Sequence, residues 1–126
     1  MIVVIGGTSG IGLETALHLK SLGYEVIIGG RKDPGNSLLK FCSLDITDEK
    51  QVQTFFDKIS DSLEGLVYAA GMASPKQPIT NFNIKIFDQV MKTNASGLLL
   101  CLKYCYQKLV KSKGRIVVVN SLASRT

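Results

Sequence analysis

Two alternating rhythms of apolar positions run along this chain. Met1 to Ile5 is a short run of large apolar residues, the pattern of a strand buried on both faces. Gly10 to Leu22 carries Ile11, Ala16 and Leu19 at helical spacing, and Gly23 supplies a stop. A second strand is predicted over Glu25 to Gly29, centred on Val26-Ile27-Ile28. Within Arg31 to Ser37, Asp33, Pro34, Gly35 and Asn36 form a turn cluster, and a weaker third strand follows from Leu38 to Leu44. Thr47 or Asp48 caps the next helix, whose Val52, Phe55, Phe56 and Ile59 fall at i, i+3, i+4, i+7. Leu66 to Ala70 reads as the fourth strand. Phe82 to Thr93 reads as a helix with Ile86, Phe87, Val90 and Met91 facing inward, and Gly97 to Lys111 continues as helix. Arg115 to Ser121 is the fifth strand.

Strands alternating with helices predict an α/β fold, one domain with a parallel sheet and right-handed crossovers. Ligands of such sheets bind beyond the carboxyl ends of the strands. The residues that follow each strand are therefore the candidates for function.

Composition narrows the class. Hydrophobic residues make up 45% of the 126 and charged residues 20%, a globular balance. No apolar run reaches the roughly 18 residues of a membrane span, and no basic segment precedes the first apolar run as in a signal peptide. A cytoplasmic protein without a membrane partner is expected. Cys101 and Cys105, i and i+4 on one helix, read as reduced core thiols. His18 is the one histidine, and no metal site is expected. The net charge is +5, and Gln89 to Thr126 holds seven Lys or Arg and no acid. This block, with Lys103, Lys108, Lys111, Lys113 and Arg115, reads as a solvated helix face; no nucleic-acid motif accompanies it. Its acidic complement is expected in sequence beyond these residues.

The residues after the first strand carry the chemistry. Val3 to Gly12 reads VVIGGTSGIG, with Gly6, Gly10 and Gly12 spaced G-x-x-x-G-x-G. Glycine permits positive φ and close backbone approach, and the helix that follows aims its N-terminus at the same place, which suits a pyrophosphate.

Here the chain resembles the classical short-chain dehydrogenases/reductases, over its whole length. The family's T-G-x-x-x-G-I-G opening is matched by Ile5 to Gly12, and its aspartate after the third strand by Asp45. Tyr68-Ala69-Ala70-Gly71 stands at its N-N-A-G, Asn94 and Gly97 at its N-x-x-G, and Ser121 at its catalytic serine. The layout is also similar to that of reductases of 3-oxoacyl groups on acyl carrier protein. The resemblance implies a Rossmann-like doubly wound sheet of order 3-2-1-4-5. It implies an NAD(P)-binding domain over residues 1–126, incomplete at its C-terminus. It further implies hydride transfer between a nicotinamide and a small carbonyl or alcohol substrate.

By the same resemblance, Gly6, Thr8, Ser9, Gly10, Ile11, Gly12, Asp45, Ala70, Gly71 and Asn94 contact the cofactor, with Asp45 at the adenine. An acid at the end of the second strand would bind both ribose hydroxyls and repel a 2′-phosphate, but Gly30 stands there. Arg31 and Lys32 follow it, an Arg fork and a point charge for a phosphate. NADP(H) is expected over NAD(H). Ile5 and Ala69 replace two polar family residues that bond one another, so an apolar contact between them is expected.

The resemblance gives Ser121 the task of orienting the substrate oxygen, and gives the backbone of Asn94 a water that leads to a catalytic lysine. The family's tyrosine, a general acid with its pKa lowered by a lysine four residues on, should stand about a dozen residues after the serine. The sequence runs only to Thr126. A literal Tyr104-x-x-x-Lys108 precedes the fifth strand and is refused as the catalytic pair. The sequence is therefore expected to be the N-terminal part of a longer oxidoreductase, a homodimer or homotetramer joined through the helix after Asn94. The fifth strand would then be an apolar, unprotected edge. The alternative is a non-catalytic nucleotide-binding or interaction protein whose chain ends at Thr126.

Overall fold

The computed structural model describes residues 1–121. The first strand, β1 (Ile2–Ile5), leads through the glycine loop to α1 (Gly10–Ser21), then β2 (Val26–Gly30) and β3 (Lys40–Ser43). Next come α2 (Glu49–Asp57), β4 (Gly65–Tyr68), a 3-10 turn (Ile79–Asn81) and α3 (Ile84–Met91). A π-helical turn (Lys92–Ser96) joins α3 to α4 (Gly97–Ser112), and β5 (Arg115–Val118) follows. All strand pairs are parallel, in the order β3-β2-β1-β4-β5 expected from the resemblance.

Each inner strand divides its side chains between two apolar layers, because successive residues point to opposite faces. Val3, Ile5, Leu66 and Tyr68 pack with Phe55 and Phe56 of α2 and Cys101, Cys105 and Leu109 of α4. Ile2, Val4 and Val67 meet Ala16 of α1 on the other face. Asp48, not Thr47, caps α2, accepting from the Gln51 N–H. Gly23, at φ 90°, ends α1 in the left-handed turn that glycine adopts without strain.

Three expectations change. The apolar stripe of α3 is covered only in part: Ile86 and Val90 are half-buried, and Phe87 and Met91 are each 44% exposed. Phe87 instead meets Phe82, with ring centroids 5.9 Å apart. Periodicity identifies the apolar face of a helix, not what covers it. Ile11 is likewise 65% exposed. And part of the acidic complement of the basic block lies within the chain. Lys103 pairs with Glu49 at 2.6 Å, while Lys108 and Lys111 both reach Asp61, at 3.2 and 3.0 Å.

The outer strand β5 has all four residues exposed among the described residues, as expected of an edge.

Candidate cofactor-binding site

The carboxyl ends of β1, β2 and β4 open into one cleft of about 730 Å³. The glycine loop forms its floor. Gly6, at φ 77°, needs the left-handed conformation, and a Cβ there would come within 2.5 Å of the Ala70 nitrogen. A Cβ on Gly12 would strike the Gly6 carbonyl oxygen. The loop and α1 can close on each other only without these side chains. Around Gly10 the space is open: nothing lies within 4 Å of where its Cβ would be.

That open space faces the start of α1. Ser9 is the N-cap, makes no side-chain cap hydrogen bond, and no acid stands in the first turn. Leu13 is the residue whose N–H reaches the Ser9 carbonyl, at 3.2 Å. The N–H groups before it lack helical acceptors and carry the positive end of the helix dipole, the arrangement that suits an anion.

Most of the candidate cofactor residues come together here. Gly6, Thr8, Ser9, Gly10, Ile11, Gly12, Arg31, Asp45, Ala70 and Gly71 all line the cleft. Lys32, Asn94 and Ser121 do not. Lys32 sits on the exposed turn after Arg31. The Asp45 carboxylate is turned onto its own loop, accepting from the Thr47 N–H at 2.9 Å and its hydroxyl at 2.7 Å. Ser121, two residues beyond the wall residue Val119, is exposed, and its N–H donates to Asn120 Oδ1 at 2.8 Å.

Asn94 braces the cleft from behind. Its Oδ1 accepts from the Met72 N–H at 2.8 Å, and its Nδ2 donates to the Met72 carbonyl at 2.9 Å. One amide thus pins both main-chain groups of a wall residue. Asn94 lies within the π-helical turn.

Sequence reasoning missed Met72, Gln89, Lys92 and Thr93 as wall residues. Gln89, Lys92 and Thr93 share one side of the helix at i, i+3, i+4, and that spacing was the available signal.

A family model described as short chain dehydrogenase matches residues 1–126. The chain belongs to the short-chain dehydrogenase family. It is 32% identical to cis-4-hydroxycyclohexanecarboxylate dehydrogenase of Sinomonas cyclohexanicum, over 95% of this chain and 54% of that protein. It is 31% identical to (+)-borneol dehydrogenase 2 of Salvia officinalis, over 97% and 48%. Among solved structures, ElxO with NADP bound superposes with a TM-score of 0.90 at 28% identity, over 99% of this chain and 56% of that one. The chain spans about half the length of the relatives it matches.

Two places set this short-chain dehydrogenase sequence apart. At Ile5 and Ala69 the expected side-chain contact gives way to a main-chain one: the Ala69 N–H donates to the Ile5 carbonyl at 2.8 Å. The Ile5 side chain packs with the α2 and α4 layer, while the Ala69 methyl lies toward Gly12. The link between the strands survives because the backbone supplies it. The Tyr104/Lys108 pair is occupied elsewhere, Tyr104 donating to Glu49 at 2.8 Å and Lys108 to the Ile59 carbonyl at 2.9 Å. Both residues tie α4 to α2 and its following turn, away from the cleft.

Proposed function

We propose that residues 1–126 form the NADP(H)-binding part of an oxidoreductase acting on a small carbonyl or alcohol substrate. One observation carries the cofactor reading. The cleft is lined both by the first residues of α1, whose N-cap Ser9 makes no side-chain hydrogen bond, and by Arg31, and β2 ends at Gly30 with no acid. The backbone cradle fits a pyrophosphate, and Arg31 fits a 2′-phosphate. The bound NADP of the similar ElxO supports the same choice.

Bound NADPH would supply a hydride for a carbonyl carbon, and the carbonyl oxygen would take a proton. The first-turn N–H groups of α1 bind and orient the diphosphate. Arg31 selects the phosphorylated ribose, with Lys32 adding charge from outside the cleft. Ser121, by its place after β5, would hold the substrate oxygen. Asn94 keeps the wall at Met72 in place. The complete protein would be a homodimer or homotetramer.

Titration of the chain with NADPH and NADH, followed by cofactor fluorescence, tests the reading. At least tenfold tighter binding of NADPH is expected. Equal affinity, or none, overturns it.

A further inference from the structure

Tyr68 is the last residue of β4 and is 1% exposed. Its phenol hydroxyl donates to the carbonyl oxygen of Thr93, in the middle of the π-helical turn. A Cβ on Gly97 would come within 2.6 Å of that same phenol oxygen. So the start of α4 seats against the ring of Tyr68, and the hydroxyl holds the turn that precedes it. A π turn closes i→i+5 bonds and so holds one residue more than the α-helical turns on either side.

Thr93 and Met72 both face the cleft, and Asn94 joins the same turn to the Met72 backbone. The Thr93 hydroxyl also reaches the Met72 sulfur, at 3.7 Å. The π-helical turn is therefore held at two points: Asn94 joins it to the Met72 loop, and Tyr68 joins it to the end of β4. Only the second tie comes from the rigid, central part of the sheet.

We propose that Tyr68 is a positioning residue for the cofactor cleft: through its bond to Thr93 it fixes the π-helical turn, and with it the wall that Met72, Lys92 and Thr93 present. The cofactor effect rests on the NADP(H) reading above; the clamp itself does not. Burial, with the Cys101 thiol beside it, holds the phenol well above its ordinary pKa, so the hydroxyl remains a donor at any working pH.

The test compares Tyr68→Phe with Val52→Ala, which opens a core site in α2 away from the cleft. Tyr68→Phe keeps the ring and removes the bond. Its NADPH dissociation constant is expected to rise at least fivefold, and amide exchange over residues 92–97 to quicken at least tenfold. Val52→Ala should lower the Tm and move neither. Gly97→Ala should weaken binding more in the native background, where its methyl meets the phenol oxygen at 2.6 Å, than in the Tyr68→Phe background, where the Ile46 side chain at 3.0 Å is the contact that remains. The proposal is overturned if Tyr68→Phe exchanges like the native chain, or if Gly97→Ala has the same effect in both backgrounds. Failure of the native chain to bind NADPH would remove the cofactor reading alone, and exchange over residues 92–97 would still decide the clamp.

Discussion

The side chain of Thr8 occupies the place where a side chain on Gly30 would begin: a Cβ there would lie 2.5 Å from Thr8 Cγ2. The two positions belong to different strands' ends, yet they share one volume. An acid at position 30, which would favour an unphosphorylated ribose, cannot enter unless Thr8 yields.

The first prediction follows from that exclusion. Gly30→Asp combined with Thr8→Ala should move cofactor preference toward NADH, and Arg31→Ala should weaken NADPH about tenfold or more while leaving NADH within about twofold. A charge-assisted bidentate bond is worth roughly 1.5–3 kcal/mol, which sets this scale. The check is the ratio of the two dissociation constants. Equal loss for both cofactors would reverse the assignment of Arg31.

The glycines of the loop should not be equivalent. Gly12→Ala drives a methyl into the Gly6 carbonyl oxygen, backbone against backbone, and should cost about 3 kcal/mol, the upper end for overpacking. Gly10→Ala meets no atom but must hold φ at 51°, so its cost should be roughly 1 kcal/mol of left-handed strain. Urea unfolding of the two variants measures the difference. NADPH binding should suffer in both, since the Gly10 methyl would occupy the open space of the cleft.

Asn94→Ala removes two hydrogen bonds to one residue. At about 0.5–1.5 kcal/mol each, the stability loss should be roughly 1–3 kcal/mol. Asn94→Asp keeps the acceptor and removes the donor, leaving a carboxylate against the Met72 carbonyl. It should therefore be no better than Asn94→Ala. Unfolding midpoints of the two variants test this order.

The α2–α4 contact should be acid-sensitive. Hydrogen bonds from Lys103 and then Tyr104, with the Lys103 charge, hold the Glu49 carboxyl below its ordinary value near 4.5. A carboxylate whose folded pKa is lowered contributes stability above its unfolded value, and that contribution is lost as the pH falls through the folded one. The native Tm should therefore drop below about pH 4.5 more steeply than that of Glu49→Gln. Added salt should shrink the difference, because the pair is exposed. Parallel melting curves over pH 3–6 would show it.

The sequence alone determined the alternation of five strands and four helices, and the position of the glycine loop. The reason is local. A strand buried on both faces must be apolar throughout, α1 must stop at Gly23, and Gly12 admits no side chain against the Gly6 carbonyl six residues before it. Arg31 after Gly30 was equally legible, since a residue's charge is written in its identity. What only the tertiary structure decided depends on partners distant in the chain. The apolar stripe of α3 predicted burial, but the described residues cover it only as far as Ile86 and Val90, which are half-buried. The basic block predicted an external complement, but Glu49 and Asp61 provide part of one from across the α2–α4 contact. The Ile5–Ala69 contact proved to be a backbone hydrogen bond, because adjacent parallel strands supply it whatever their side chains. The break between the two helices, after Thr93 and before Gly97, was legible, but its π-helical form was not. It shows itself only where Tyr68 reaches Thr93 and Asn94 takes hold of Met72.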